Sequence, residues 1–188
     1  QGGRPMHSLY FRQLAQYNAW ANWRLYEACA QLTDGERKAP RPCFFGSIHR
    51  TLNHILVGDR VWLSCLTIRE SGITSLDQEL YSDFDELRAA RVTEDERLIG
   101  VIGGYDEAEL AGMLCYRNMA GENKRTPMIQ VLGHVFNHQT HHRGQVHALL
   151  SGTSVAPPSL DLIYLGWDPD LARLALGESA LRDSPARR

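Results

Sequence analysis

Four long segments with apolar side chains at helical spacing fill most of the chain, and they restrict its fold more than any other feature. The first, residues 8–31, reads SLYFRQLAQYNAWANWRLYEACAQ and contains neither glycine nor proline. Its apolar and aromatic residues recur every three or four positions, which gives a helix one apolar stripe that must be covered. Ser8 is its expected N-cap, since a serine hydroxyl satisfies a free N–H of the first turn. Residues 47–69, opening at Ser47, are apolar around most of the helical circumference, as in a helix surrounded by others. Residues 83–102, opening at Asp83, are more amphipathic. Residues 126–151 open on Thr126 and Pro127, read as an N-cap and a proline in the first helical position, and stop before Gly152.

The connections are short. LTDGERKAPRPC breaks the first helix with glycine and proline. LCYRNMAGENKRTPM, ahead of the last long helix, is either a hairpin turning around Ala120–Asn123 or a plain loop. A short helix near Pro169–Leu176 is expected beyond it. Four long helices joined this way predict an all-α, four-helix bundle. Residues 6–178 are expected to form one domain. Residues 1–5 read as a vector-derived remnant, and 179–188 as a polar tail.

Composition removes several function classes. The formal charge of −2 gives no pull toward nucleic acid or an anionic membrane, and no groove-reading motif is present. No apolar run approaches the roughly 20 residues needed to span a bilayer, and QGGRPMHSLY lacks the apolar stretch of a signal peptide. Cys29, Cys43, Cys65 and Cys115 form no CxxC pair, which argues against a zinc ribbon or a thioredoxin-type site. Free thiols in a reducing cytoplasm are expected, with Cys29 and Cys65 buried and inert inside helices.

The histidines carry the chemistry. A helix turns about 100° per residue, so His134, His138 and His142 are successive neighbours on one face of the last long segment. His141 falls in the same sector, and His147 points away. Val131, Val135 and Leu149 flank that sector, so His138 and His142 lie beside the core stripe. Two histidines four apart can hold one divalent ion without bending the helix. A third ligand must come from elsewhere. His54 is the best candidate, because it lies among Thr51, Gly58, Val61 and Cys65, a small and apolar strip where a neutral imidazole needs a hydrogen bond or a metal. Gly58 and Thr51 predict open space beside it. His49 falls with Arg50, Asn53 and Arg60 in a polar sector and is expected at the surface. Arg143 and Asp59 point elsewhere on their helices and are expected in structural salt bridges.

TLNHILVGDRVWL, followed at the right separation by HVFNHQTHHRGQVHALLSGTSVAPPSLDLIYL, resembles the DinB family of DinB/YfiT-like metalloenzymes. YNAWANWRLY in the first helix matches the family's opening pattern. The resemblance runs from about Tyr10 to Leu165. It implies an up-down-down-up four-helix bundle, frequent homodimers, and a metal held by one histidine of the second helix and an HxxxH pair of the last. These map onto His54, His138 and His142, the positions reached from the helical wheel.

Three imidazoles leave a divalent ion with open positions for water or substrate, an arrangement of catalytic sites rather than structural ones. Imidazole suits several metals; zinc or nickel is expected. Gln145 and His141 are candidates for orienting a bound molecule or moving a proton. The resemblance also implies thiol-dependent transferases or isomerases that use a low-molecular-weight thiol such as bacillithiol or mycothiol on a small-molecule substrate. A metal-dependent hydrolase is the variant at the same site. The reading from another class is a DNA damage-inducible, stress-linked metal- or ligand-binding protein without turnover.

Overall fold

The computed structural model describes residues 6–167. The protein is mostly helical with one small sheet. Its elements are α1 (Met6–Ala30), α2 (Asp34–Lys38), α3 (Ile48–Thr67), α4 (Phe84–Gly103), α5 (Glu107–Leu110), β1 (Met113–Arg117), β2 (Asn123–Pro127), α6 (Met128–Leu150) and a 3-10 turn at Leu162–Gly166. The expected helix near Pro169–Leu176 lies outside the described residues.

Local chemistry explains most boundaries. The Ser47 hydroxyl accepts from the Arg50 N–H, and the Asp83 carboxylate accepts from the Glu86 N–H, as their positions predict. Two short helices escaped the periodicity, although each carries a capping box: Thr33 with Glu36 on α2, and Asp106 with Glu109 on α5. They are too short to show an apolar stripe.

Two expected caps are displaced. Ser8 lies inside α1, which begins at Met6, and its N–H donates to Glu107 Oε1 at 2.7 Å. The first turn of α1 is thus capped from α5. The bond from the Ser8 N–H is the main cause that holds the Glu107 carboxyl down at about 2. Thr126 does not cap α6 either. It pairs with Leu114 in the sheet, Pro127 takes the N-cap position, and the Met128 N–H donates to Gly112 O at 3.0 Å. Strand pairing therefore continues to the helix start.

β1 and β2 are antiparallel, with Cys115 opposite Arg125, so the segment before α6 is a hairpin. Its turn is self-contained. Asn118 Oδ1 accepts from the Glu122 N–H, and Arg117 Nε donates to Gly121 O at 2.7 Å. Gly121 has φ of 80°, a left-handed conformation that favours glycine.

The four long helices pack in a ring of neighbours: α1 on α4 and α6, α3 on α6 and α4. Two large apolar clusters fill the interior, and a smaller one joins Tyr17, Trp20 and Ala21 of α1 to Leu165. One large cluster joins Phe11, Leu63, Leu98, Leu132 and Phe136; the other joins Leu25, Leu52, Leu56, Leu87 and Leu150. Between these clusters every long helix also buries polar residues: Asn18 and Asn22 on α1, Asp59 on α3, Arg91 and Asp95 on α4, Gln139 and Arg143 on α6. Asp95 accepts from Asn18 and Asn22, whose side-chain oxygens accept from Arg143. Arg143 also donates to Gln139 at 3.1 Å, Gln139 donates to Asp59, and Arg91 closes the circuit by pairing with Asp59 at 2.6 Å and Asp95 at 2.9 Å. Asp59 thus sits in a salt bridge as expected. Among the described residues Arg143 forms no ion pair and is held by amide oxygens instead. Burial is the first cause that pushes Asp59 up to about 6, with Arg91 opposing it, and burial likewise raises Asp95.

Candidate metal centre

α3 and α6 carry the three histidines singled out by spacing, and the structure brings them together. His54 Nε2 lies 3.1 Å from both His138 Nε2 and His142 Nε2, and among the described residues these three form the one cluster able to hold a metal ion. His54 is buried, whereas His138 and His142 are half-buried. The positions follow from local structure. His138 and His142 are one turn apart on α6 and face α3. Gly58, one turn beyond His54, lets the His138 ring lie on the α3 backbone: a Cβ there would meet His138 Cε1 at 2.6 Å.

The other ring nitrogens decide the chemistry. His54 Nδ1 lies 2.7 Å from the Leu76 carbonyl, and His142 Nδ1 lies 2.8 Å from Gln145 Oε1. Both partners only accept, so each Nδ1 carries the proton and each Nε2 presents a lone pair. Lone pairs that converge at this separation repel unless a cation lies among them. Ligand nitrogens at about 2.0–2.1 Å around a tetrahedral zinc would be about 3.3 Å apart, close to the separation observed. The residues present fit a divalent ion.

Burial, aided by the neighbouring rings, pushes His138 down to about 3. His54 and His142 are also lowered by burial, against the opposing pull of the Leu76 carbonyl and of Gln145. All three imidazoles are therefore neutral near pH 7, the form a metal requires. Phe45 stacks on His54 with ring centroids 4.0 Å apart and meets His142 edge-on at 5.6 Å. It shields one side of the cluster from water.

Beside the cluster is a cavity of about 440 Å³ reached between α3, α6 and the hairpin. His54 and His138 form its floor, and Val61, Trp62, Leu76 and Tyr116 are among its walls. Trp62 stands edge-on to His134 at 5.0 Å and tilts against Tyr116 at 5.4 Å.

The remaining expectations divide. Gln145 touches His142 and orients that ring. His141 is exposed, and its Nε2 lies 3.4 Å from Gln145 Nε2. His147 points away, with Nε2 3.0 Å from Pro158 O. His49 is not at the surface. It is 1% exposed and its Nε2 lies 2.8 Å from Tyr81 O. Asn53 accepts from the Leu80 and Tyr81 N–H groups. His49 and Asn53 are thus covered by the segment at Leu80 and Tyr81, whose backbone groups need partners, while Arg50 of the same sector stays exposed. Thr51 is buried, donates to Ser47 O, and does not line the cavity; the space beside Gly58 is shared by the cavity and the His138 ring. All four cysteines are free. Cys29 is buried and pushed up to about 12 by burial, but Cys65 is only half-buried and faces the cavity. Phe45, Leu76 and Trp62 escaped the sequence reading. Only the loop path brings Phe45 and the Leu76 carbonyl to the cluster, and nothing local signals it.

A helical protein with three inward-facing imidazoles beside an open cavity has the build of a helical metalloprotein with an accessible centre. The chain belongs to the DinB family, whose sequence model matches residues 6–172. It is similar to "Protein DinB" of Bacillus subtilis (strain 168), with 25% identity over 158 residues, covering 80% of this chain and 91% of that protein. Its fold is similar to the crystal structure of a DinB-like protein from Bacillus cereus ATCC 10987, at a TM-score of 0.58 and 18% identity, covering 74% of this chain and 90% of that one.

Proposed function

We propose that this protein is a divalent-metal-dependent enzyme whose ion, zinc or nickel, is held by His54, His138 and His142. Its reaction is transfer or isomerisation of a small electrophilic substrate with a low-molecular-weight thiol as co-substrate. The observation that carries this reading is the convergence of three imidazoles, two with their tautomer fixed, of which His54 and His138 line an open cavity. A bound ion would supply Lewis acidity and lower the proton affinity of an incoming thiol or water. The chain's own residues do the rest. Leu76 O and Gln145 hold two rings in register, Phe45 excludes water behind them, and the cavity receives the second reactant.

The same reading takes the four long helices as an up-down-down-up bundle. The order in which each helix meets the two apolar clusters supports it. It also takes the chain as a cytoplasmic homodimer. The free cysteines support the first point; Leu9, Tyr10 and Trp23, exposed on α1, support the second.

The test uses purified protein loaded with zinc or nickel and mixed with monochlorobimane and bacillithiol, mycothiol or glutathione. Thiol consumption should require metal, disappear in His138→Ala, and persist in His147→Ala. Metal content by elemental analysis should follow the same pattern. Protein-dependent consumption that survives chelation would refute the metal-dependent reading. Hydrolysis without thiol would assign a metal-dependent hydrolase. Full metal occupancy without any turnover would assign the stress-linked binding protein.

A further inference from the structure

The cavity above His54 and His138 is uneven in its chemistry. Its walls are apolar and aromatic, with Trp62, Tyr116, Val61 and Met119 nearest the hairpin. Among its described lining residues no carboxylate occurs, and Arg117 is the one side chain with a permanent charge. Arg117 is also poised. Its Nε is tied to the Gly121 carbonyl at 2.7 Å, which fixes the stem, while its terminal nitrogens donate to no described residue. Among the described residues it has no ion-pair partner, whereas nearby Lys124 is paired with Glu122 at 2.8 Å. A held guanidinium with free donors at the mouth of an apolar cavity suits an anion with an apolar body.

We infer that this cavity binds a small organic anion: a ring-bearing apolar body lying against Trp62 and Tyr116, with a carboxylate or similar oxyanion at Arg117. The inference rests on reading the cavity as the substrate pocket of the proposed metal centre, and it adds the chemical class of the substrate. Arg117 then selects for charge at the mouth, and the aromatic pair selects for a flat body. The reacting part of the molecule extends toward the histidine floor.

Isothermal titration of the full chain with hydrocinnamate, hydrocinnamyl alcohol and acetate tests this directly. The three probes carry body and charge, body alone, and charge alone. Hydrocinnamate should bind most tightly. Arg117→Gln should weaken it about tenfold, the scale of one charge-assisted hydrogen bond, and leave the alcohol unchanged. Arg117 is exposed but its Nε also ties the turn to Gly121, so unchanged binding of the alcohol shows as well that the turn keeps its shape. Trp62→Leu should weaken hydrocinnamate and the alcohol alike. Each titration is run on zinc-loaded and on chelator-treated protein, because a carboxylate can also reach a metal. Equal affinity for carboxylate and alcohol would overturn the inference. So would a carboxylate preference that vanishes with the metal and ignores Arg117, or a failure of every probe to bind. Elemental analysis of the same samples keeps the two readings apart. Protein that takes no metal but shows the Arg117 effect refutes the metal centre alone. Protein with full metal and no Arg117 effect refutes the anion pocket alone.

Discussion

At the residue scale, one missing methyl group governs the centre. The His138 ring occupies the space a Cβ on Gly58 would fill. Gly58→Ala therefore forces the ring off α3, yet alanine favours a helix interior over glycine by about 0.8–1 kcal/mol. The two effects separate cleanly. Metal affinity should fall about 10–100-fold, as when other groups that orient a ligand are lost. The apo protein should melt no lower than the parent. Metal titration beside thermal melts checks this, and unchanged affinity would mean that the ring has another place to rest. His49→Ala should do the converse. It should keep the metal and lower stability, since it removes a buried bond to the Tyr81 carbonyl. The histidine spacing made His138 and His142 legible in the sequence, and the apolar strip around His54 supplied the third position. His49 was misread because a helical wheel counts polar neighbours as solvent-facing. Here His49 and Asn53 are polar in order to satisfy a loop lying across them.

At the scale of elements, the buried polar circuit links all four long helices between two apolar clusters. Gln139 and Asp59 belong to it and directly adjoin His138 and Gly58 in sequence, so its geometry bears on how α3 and α6 meet. Arg91 is the cation that faces both Asp59 and Asp95. Arg91→Leu would leave these carboxylates buried without it, at a cost of about 3–5 kcal/mol at neutral pH. Asp59 is raised and takes a proton near pH 6. The loss should therefore be smaller at pH 5 than at pH 8. Denaturant unfolding at both values measures it, and an equal loss would show that variant and parent take up the same protons over this range, so that Arg91 does not set the ionisation of these carboxylates. The long helices were legible from periodicity and two of their caps from residue type. The displaced start of α6 was not. Thr-Pro is a good helix opening locally, but Thr126 is claimed by Leu114 across the hairpin, a partner that no local pattern reveals.

At the scale of the molecule, the proposed metal centre would tie stability to metal and pH. His54 lies 84 and 88 residues from His138 and His142, so the unfolded chain cannot present the site. Metal at about 100 times its dissociation constant should add roughly 2.7 kcal/mol, or about 5–10 °C in a domain of this size. The pH dependence has a definite sign. The three imidazoles are lowered in the folded state from the ordinary 6.5, His138 to about 3. Their stabilising effect is complete above 6.5 and is lost as pH falls toward the folded values, because the unfolded chain takes up protons first. The increment from metal should shrink over the same range, since protons compete for the same nitrogens. Melts with and without chelator between pH 8 and 5 test both; an increment that stays constant on acidification would rule out imidazole ligation. The hairpin has a different consequence. Its turn is closed by its own bonds, from Asn118 to Glu122 and from Arg117 to Gly121, while every histidine of the centre resides on the helices. Residues 117–122 can therefore be exchanged for turns of other lengths and charges without touching the three histidines, so that natural drift or directed recombination can redraw what the cavity admits while the candidate ligands stay where they are.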